Sequence, residues 1–202
     1  MATVRRGILG GTFDPPHYGH LMLAEQAREQ LGLACVSWVP AGDPWRKTGT
    51  PISAAQHRLA MLRLAVEGND SFQIDTREVE RGGPSYTVDT LALIHEQHPE
   101  QELFFLLGAD ALSDLPNWHN PAKLIEIASL GAAARGGKRI PDSILETLLP
   151  SLCQRVSWFA MPRLDISATD LRTRAAKGES LRYFCPPAVA AYITSNKLYT
   201  PA

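Results

Sequence analysis

The chain has 202 residues, 45% of them hydrophobic and 20% charged, a length that suits one domain, with or without an appended subdomain. It can bury roughly 70% of its unfolded surface, so it needs neither disulfides nor a structural metal to fold. Lys and Arg total 20 against 21 Asp and Glu, and the net charge of −1 excludes a generic duplex-binding surface while leaving room for a local phosphate pocket.

No apolar run approaches the ~18 residues of a membrane helix. The apolar stretch after Arg5 and Arg6 breaks at Thr12 and Asp14, too early for a signal peptide. Cys35, Cys153 and Cys185 are widely spaced, with no C-x-x-C pair, and read as reduced thiols. The expectation is a soluble cytoplasmic enzyme or binding protein that contacts neither nucleic acid nor membrane.

Apolar runs and helical patterns alternate along the chain. Residues 6–11 are short, apolar and glycine-bounded, a buried first strand. Leu21, Ala24, Ala27 and Leu31 recur at helical spacing over 17–31, and Gly32 ends that helix. Residues 34–40 read as a second strand, followed by a polar, proline-rich loop over 41–52. Ser53-Ala-Ala-Gln56 has the spacing of a capping box for a helix through about Val66, with Leu59, Leu62 and Val66 on one face. Strands are expected at 72–75, 103–107, 130–134 and 156–160. Helices are expected at 88–98, from Pro121, from Ser167 to Gly178, and at 187–196, with a basic surface turn over 135–141. This alternation predicts an α/β fold, a doubly wound parallel sheet with helices on both faces and a small C-terminal helical part. Ligands in such sheets sit beyond the carboxyl ends of the strands, so the loops after Gly11, Pro40 and Leu107 are the places to search.

Two segments carry chemistry. Gly10-Gly-Thr-Phe-Asp-Pro-Pro-His-Tyr-Gly-His20 runs from the first strand into the first helix. Its paired glycines let a phosphate approach the backbone, and the helix start offers free N–H groups and a positive dipole end. His17 and His20, three apart, share one face of the first helical turn. A tight turn with two surface histidines is the plainer alternative. A His-x-x-His metal pair is another, but no further ligands stand at a suggestive spacing. In Ile166-Ser-Ala-Thr-Asp-Leu-Arg172, Ser167 can cap a helix, which alone is an ordinary helix start. Thr169 and Arg172 also lie on one face, where a hydroxyl, backbone N–H groups and a guanidinium can converge on a polyphosphate. Three other motifs fail. Gly7 to Gly11 is not G-x-G-x-x-G, residues 131–139 lack the spacing and Ser/Thr of a P-loop, and no G-x-S-x-G occurs.

These two segments resemble the nucleotidyltransferase superfamily with an H-x-G-H-type motif, and within it the bacterial nicotinate mononucleotide adenylyltransferase family. The resemblance extends over nearly the whole chain: Pro44 to Lys47, Arg81-Gly-Gly-Pro-Ser-Tyr-Thr-Val-Asp-Thr-Leu91, Gly108-Ala-Asp110, Trp118 with His119, and Tyr192-Ile with Leu198-Tyr199. It implies a Rossmann-like domain over 1–202, with 165–202 as a C-terminal helical subdomain carrying the second segment.

The implied activity is adenylyl transfer from ATP to nicotinate mononucleotide in NAD biosynthesis, with Mg²⁺ accompanying ATP and no protein metal site. By resemblance, Gly10, Gly11, Thr12, Phe13, His17, Gly19 and His20 surround the triphosphate and the reaction centre. Gly108 and Asp110 hold the adenosine side, and Ile166, Ser167, Thr169 and Arg172 complete the ATP site. Thr12, Lys47, Tyr86, Thr87, Trp118 and His119 face the mononucleotide: Tyr86 and Thr87 by N–H groups to its carboxylate, Trp118 by stacking on the pyridine. His17, His20, Lys47 and Arg172 are the expected catalytic group, the histidines as imidazolium or tautomeric donors. Homo-oligomerisation is left open. The chain departs from the family's Pro-Pro-His-Lys loop at Trp45 and Arg46, so no histidine role transfers to position 46. Pro44 and Gly49 flank a segment that reads as a flap over bound substrate. The rival readings are another cytidylyl- or adenylyltransferase, a non-catalytic nucleotide sensor and a metal-dependent hydrolase.

Overall fold

The structure, a computed structural model, describes residues 3–43 and 52–200. Lys47, the Trp45–Arg46 departure and the flap reading lie outside the described residues.

Six strands form one parallel sheet in the order β3-β2-β1-β4-β5-β6: β1 (Arg5–Gly11), β2 (Cys35–Pro40), β3 (Phe72–Ile74), β4 (Glu102–Gly108), β5 (Ser129–Arg135) and β6 (Val156–Met161). Alternation along β4 shows how the two faces are built. Leu103, Phe105 and Leu107 enter one apolar cluster, and Phe104 and Leu106 enter another. A strand buried on both faces needs apolar residues at every position, hence the uninterrupted Leu-Phe-Phe-Leu-Leu run. Helices α1 (Tyr18–Leu31) and α2 (Ala55–Val66) cover one face through Leu23, Ala24, Ala27, Leu62 and Val66. Helices α4 (Thr87–Gln97) and α6 (Pro121–Ile127) cover the other. Burying Val88, Leu91 and Ile94 of α4 contributes about 1.5–3 kcal/mol per side chain. A third cluster joins Met61 of α2 to Leu171 on α9 (Ala168–Ala176) and to Val189 and Ile193 on α10 (Pro187–Ser195).

The expected strands and the longer helices are present, with ends shifted by one or two residues. Short helices the periodicity did not show are α3 (Arg77–Arg81), α5 (Ala109–Ser113), α7 (Asp142–Leu148) and α8 (Leu152–Arg155); four to seven residues are too few for an apolar stripe to repeat. The capping box at Ser53 is not formed. Ala54 is the N-cap of α2, and the Ser53 N–H donates to Asp14 Oδ2 at 3.1 Å, a tertiary bond in place of the local one. Cys35, Cys153 and Cys185 are free thiols, and no described helix is long and apolar enough to cross a membrane.

Strand β1 is flanked by β2 and β4, so the chain leaves the sheet centre towards β2 and β3 and returns on the other side at β4. The loops after β1 and β4 diverge there, opening the crevice in which ligands of doubly wound sheets sit.

Candidate functional site

Beyond Gly10 and Gly11 at the end of β1, the chain turns through Thr12 to Pro16 and enters α1. His17 is not within the first helical turn, as the spacing had suggested. It is the N-cap, with extended φ/ψ of −146° and 171°. The two imidazoles nevertheless meet, stacked with centroids 3.7 Å apart and planes at 23°. The His17 N–H donates to His20 Nδ1 at 3.3 Å, so in the neutral His20 ring the proton sits on Nε2, a donor on the opposite edge. Phe13, 2% exposed, backs this pair; its ring meets His20 edge-on at 5.2 Å and rests on buried Trp38. Phe13 therefore offers the crevice backbone, with its ring committed to the core. A Cβ on Gly19 would stand 3.0 Å from His17 Cε1 and Nδ1 and 3.8 Å from the Ile166 carbonyl, so glycine is what lets the His17 ring lie flat against the helix.

His17 is 6% exposed and its Nδ1 is buried without a partner. Burial, assisted by the charge of Arg135, pushes its pKa down to about 4. At neutral pH His17 is thus an uncharged ring with an unused nitrogen, not the imidazolium that the sequence left open. Arg135 itself, expected in a surface turn, ends β5 beside Gly108; its Nη2 is 3.5 Å from where a Gly108 Cβ would be. Gly108 is the N-cap of α5, and exposed Asp110 lies in that helix's first turn.

The second segment comes to the first directly. Ser167 caps α9, its Oγ accepting from the Asp170 N–H at 3.1 Å and donating to Asp170 Oδ2 at 2.6 Å. Arg172 donates through Nη2 to Thr169 Oγ1 at 3.2 Å and through Nη1 to the Asp14 carbonyl at 2.8 Å, a contact across 158 residues. Asp14, 3% exposed, accepts from the Tyr199 hydroxyl at 2.6 Å and from Ser53 N–H. The C-terminal segment also satisfies the start of α1, where the Tyr18 N–H donates to the Phe184 carbonyl at 3.1 Å.

On the other side of the crevice, Tyr86 is the N-cap of α4 and Thr87 its first residue. The Tyr86 ring stacks on exposed His119 at 4.3 Å and 28°. Trp118 is half-buried, edge-on to Phe105 at 5.7 Å, and its Nε1 donates to Asp114 Oδ2 at 3.3 Å. Among the described residues no group of three or more His, Cys, Asp or Glu is placed to hold a metal ion. Asp14 and Tyr199 lie within family-like segments and Arg135 in the basic turn, but the sequence assigns none of them a role, nor Arg58, a cation one turn before Met61 and Leu62 on the apolar stripe of α2.

An open parallel sheet with stacked histidines after its first strand and a Ser/Thr/Arg cradle drawn onto them defines a nucleotide-binding α/β protein of the cytidylyltransferase type. The cytidylyltransferase-like family model matches residues 8–174, and the chain belongs to that family. It is 45% identical over 195 residues to a probable nicotinate-nucleotide adenylyltransferase of Thermomicrobium roseum, covering 96% of this chain and 91% of the other. It is 46% identical over 199 residues to one of Roseiflexus sp. (strain RS-1), covering 98% and 100%. Within the family, these relatives place the chain among the nicotinate-nucleotide adenylyltransferases. Its fold matches that of the Plasmodium falciparum nicotinic acid mononucleotide adenylyltransferase complexed with NaAD, at TM-score 0.79 and 23% identity over 97% of each chain.

Proposed function

We propose that the chain transfers the adenylyl group of ATP to nicotinate mononucleotide, giving nicotinate adenine dinucleotide and pyrophosphate. The observation that carries this reading is the direct bond from Arg172 to the Asp14 carbonyl, which joins the cradle on α9 to the turn presenting His17 and His20. In the reaction an oxygen of the mononucleotide phosphate attacks the α-phosphorus of ATP, and the bond to the pyrophosphate oxygen breaks. The nucleophile is already an anion at neutral pH, so no general base is needed. What the protein supplies is alignment of two polyanions and stabilisation of charge on the transferring and leaving groups.

In this reading His20 donates from Nε2, and the buried Nδ1 of His17 gains its missing partner from the nucleotide. Arg172 and Thr169 hold the triphosphate with the first-turn N–H groups of α9, where Ser167 is the cap. Gly108 and Asp110 take the adenosine side, with Arg135 adding positive charge there. The first-turn N–H groups of α4 at Tyr86 and Thr87 receive the nicotinate carboxylate, and the Tyr86, His119 and Trp118 rings flank the pyridine. By resemblance, Lys47 would neutralise phosphate charge. Mg²⁺ entering with ATP would neutralise part of the triphosphate charge. Both carboxylate oxygens of Asp14 accept hydrogen bonds, from Tyr199 and Ser53, so Asp14 is not offered to the ion, which would be carried by phosphate oxygens and water. The same reading takes 1–202 as one catalytic unit, with 165–202 as the part that closes the ATP side.

The test is pyrophosphate release from ATP with nicotinate and nicotinamide mononucleotides, phosphopantetheine and glycerol phosphate as acceptors, assayed in parallel. A carboxylate facing two N–H donors gains charge-assisted bonds that a carboxamide lacks, about 1.5–3 kcal/mol, so the acid is expected to be preferred by roughly ten- to a few hundredfold. Faster turnover with another acceptor would overturn the assignment.

A further inference from the structure

Arg58 lies in the first turn of α2, 2% exposed, and none of its nitrogens reaches a described carboxylate. It instead donates to three backbone carbonyls: Nη1 to Thr12 at 3.0 Å, Nη2 to Gly42 at 3.2 Å and Nε to Ser53 at 3.1 Å. A buried cation is costly unless each donor is satisfied, and the planar fork meets that demand with three fixed directions. The position matters more than the count. The β1–β2 ladder ends where the Ala41 N–H donates to the Gly11 carbonyl at 2.9 Å. Arg58 then bonds a carbonyl just beyond that rung on each side, Thr12 and Gly42, so a guanidinium continues the cross-link where the ladder stops.

From Gly42 the chain of bonds runs to the acceptor side. The Gly42 N–H donates to Ser85 Oγ at 3.0 Å, and the Ser85 N–H donates to the Asp43 carbonyl at 3.0 Å. Any side chain on Gly42 would collide with the Glu78 carbonyl, so the Gly42 backbone is also packed closely against α3. Ser85 directly precedes Tyr86, the N-cap of α4. Thr12 lies in the turn that leads to the histidine pair. One buried side chain therefore bridges the turn on the donor side and the helix start on the acceptor side.

We infer that Arg58 is a positioning residue for adenylyl transfer, fixing the separation of the ATP half-site from the mononucleotide half-site without touching either substrate. This rests on the function proposed above. Transfer needs the attacking oxygen about 3–3.5 Å from the phosphorus, and each substrate is held by a different bank of the crevice. Loosening the bridge leaves each bank able to bind its own substrate while the two reacting atoms lose alignment.

The experiment compares wild type with Arg58→Lys, which keeps the charge and loses the fork. It measures kcat per folded molecule, KM for both substrates, and the separate dissociation constants of ATP and nicotinate mononucleotide by calorimetry. The expected result is a fall in kcat of about ten- to a hundredfold, with both affinities within about threefold of wild type. A purely structural role would lower thermal stability and folded fraction while leaving kcat per folded molecule unchanged, and that result would overturn the inference, as would a loss confined to one substrate's affinity. Ser85→Ala cuts the same bridge at its acceptor end. It should lower kcat severalfold alone and add little to Arg58→Lys, because a link already broken cannot be broken twice. Should Arg58→Lys fail to fold, unchanged kcat in Ser85→Ala refutes the bridge. A wild-type protein that turns over neither pyridine mononucleotide would instead refute the proposed function.

Discussion

Binding of ATP should make His17 take up a proton. In the free protein burial holds its pKa at about 4, against 6.5 for an ordinary imidazole, and its Nδ1 has no partner. A triphosphate placed against the ring supplies both an acceptor and negative charge, which favour the protonated form. If the nucleotide does no more than return His17 to about 6.5, the ring is roughly 90% protonated in the complex at pH 5.5 and only a few per cent protonated without it. Uptake is then about 0.9 proton at pH 5.5 and below about 0.1 at pH 8, and the affinity for ATP rises about tenfold over that interval as the pH falls. The assay is calorimetric titration of ATP into wild type and His17→Asn, in buffers of different ionisation enthalpy. Protons taken by the nucleotide's own phosphates are common to both proteins and subtract out. Equal uptake by wild type and variant at pH 5.5 would refute the placement of the triphosphate against His17.

The same depressed pKa sets a stability slope. The unfolded chain binds the proton first, so stability is full above pH 6.5 and falls as the pH drops towards 4, by about 3 kcal/mol in all; denaturant unfolding of His17→Asn should lack that component. Gly19→Ala places a methyl 3.0 Å from the His17 ring while improving helix propensity by up to about 1 kcal/mol, so turnover should fall about tenfold with the melting temperature unchanged or raised. Loss of stability without loss of turnover would show that the His17 ring position is unimportant. Arg172→Ala should weaken ATP far more than the mononucleotide and cost about 1.5–3 kcal/mol of stability, because the buried Asp14 carbonyl loses a charged donor. A defect confined to the acceptor would misplace the α9 cradle. His20→Ala should lower kcat by roughly a hundredfold, about 3 kcal/mol, and near-wild-type turnover would remove His20 from the charge-stabilising role.

Much of the sheet was legible because the relevant signals are local. The run over 103–107 is the clearest core strand in the sequence and is one, and Gly32, at φ 64° with its helix ending in a left-handed cap, stops α1 where a glycine stop was expected. The two motif-bearing segments, residues 10–20 and 166–172, stand out in the sequence for the same reason, since glycines, capping residues and hydroxyls act on their immediate neighbours. Local signals also misled. Ser53 with Gln56 has the spacing of a capping box, yet the Ser53 N–H is taken by Asp14 from a distant turn, and a tertiary bond displaced the local one. His17 was read as part of the first helical turn, but as N-cap it is free to fold its ring back over His20.

By itself, then, the sequence determined which segments are strands, which glycine-bearing turns join them to helices and which family pattern they follow, because each of these depends on residues within a few positions of one another. Only the tertiary structure decided that His17 is neutral, that Arg172 seats on Asp14, that Tyr199 reaches the same aspartate from the far end of the chain, and that Arg135 leans over Gly108. It alone decided that Arg58 takes up three carbonyls from three segments. Desolvation and long-range hydrogen bonding depend on what the fold packs around a group, and residues as far apart as 185 positions leave no periodic trace of meeting.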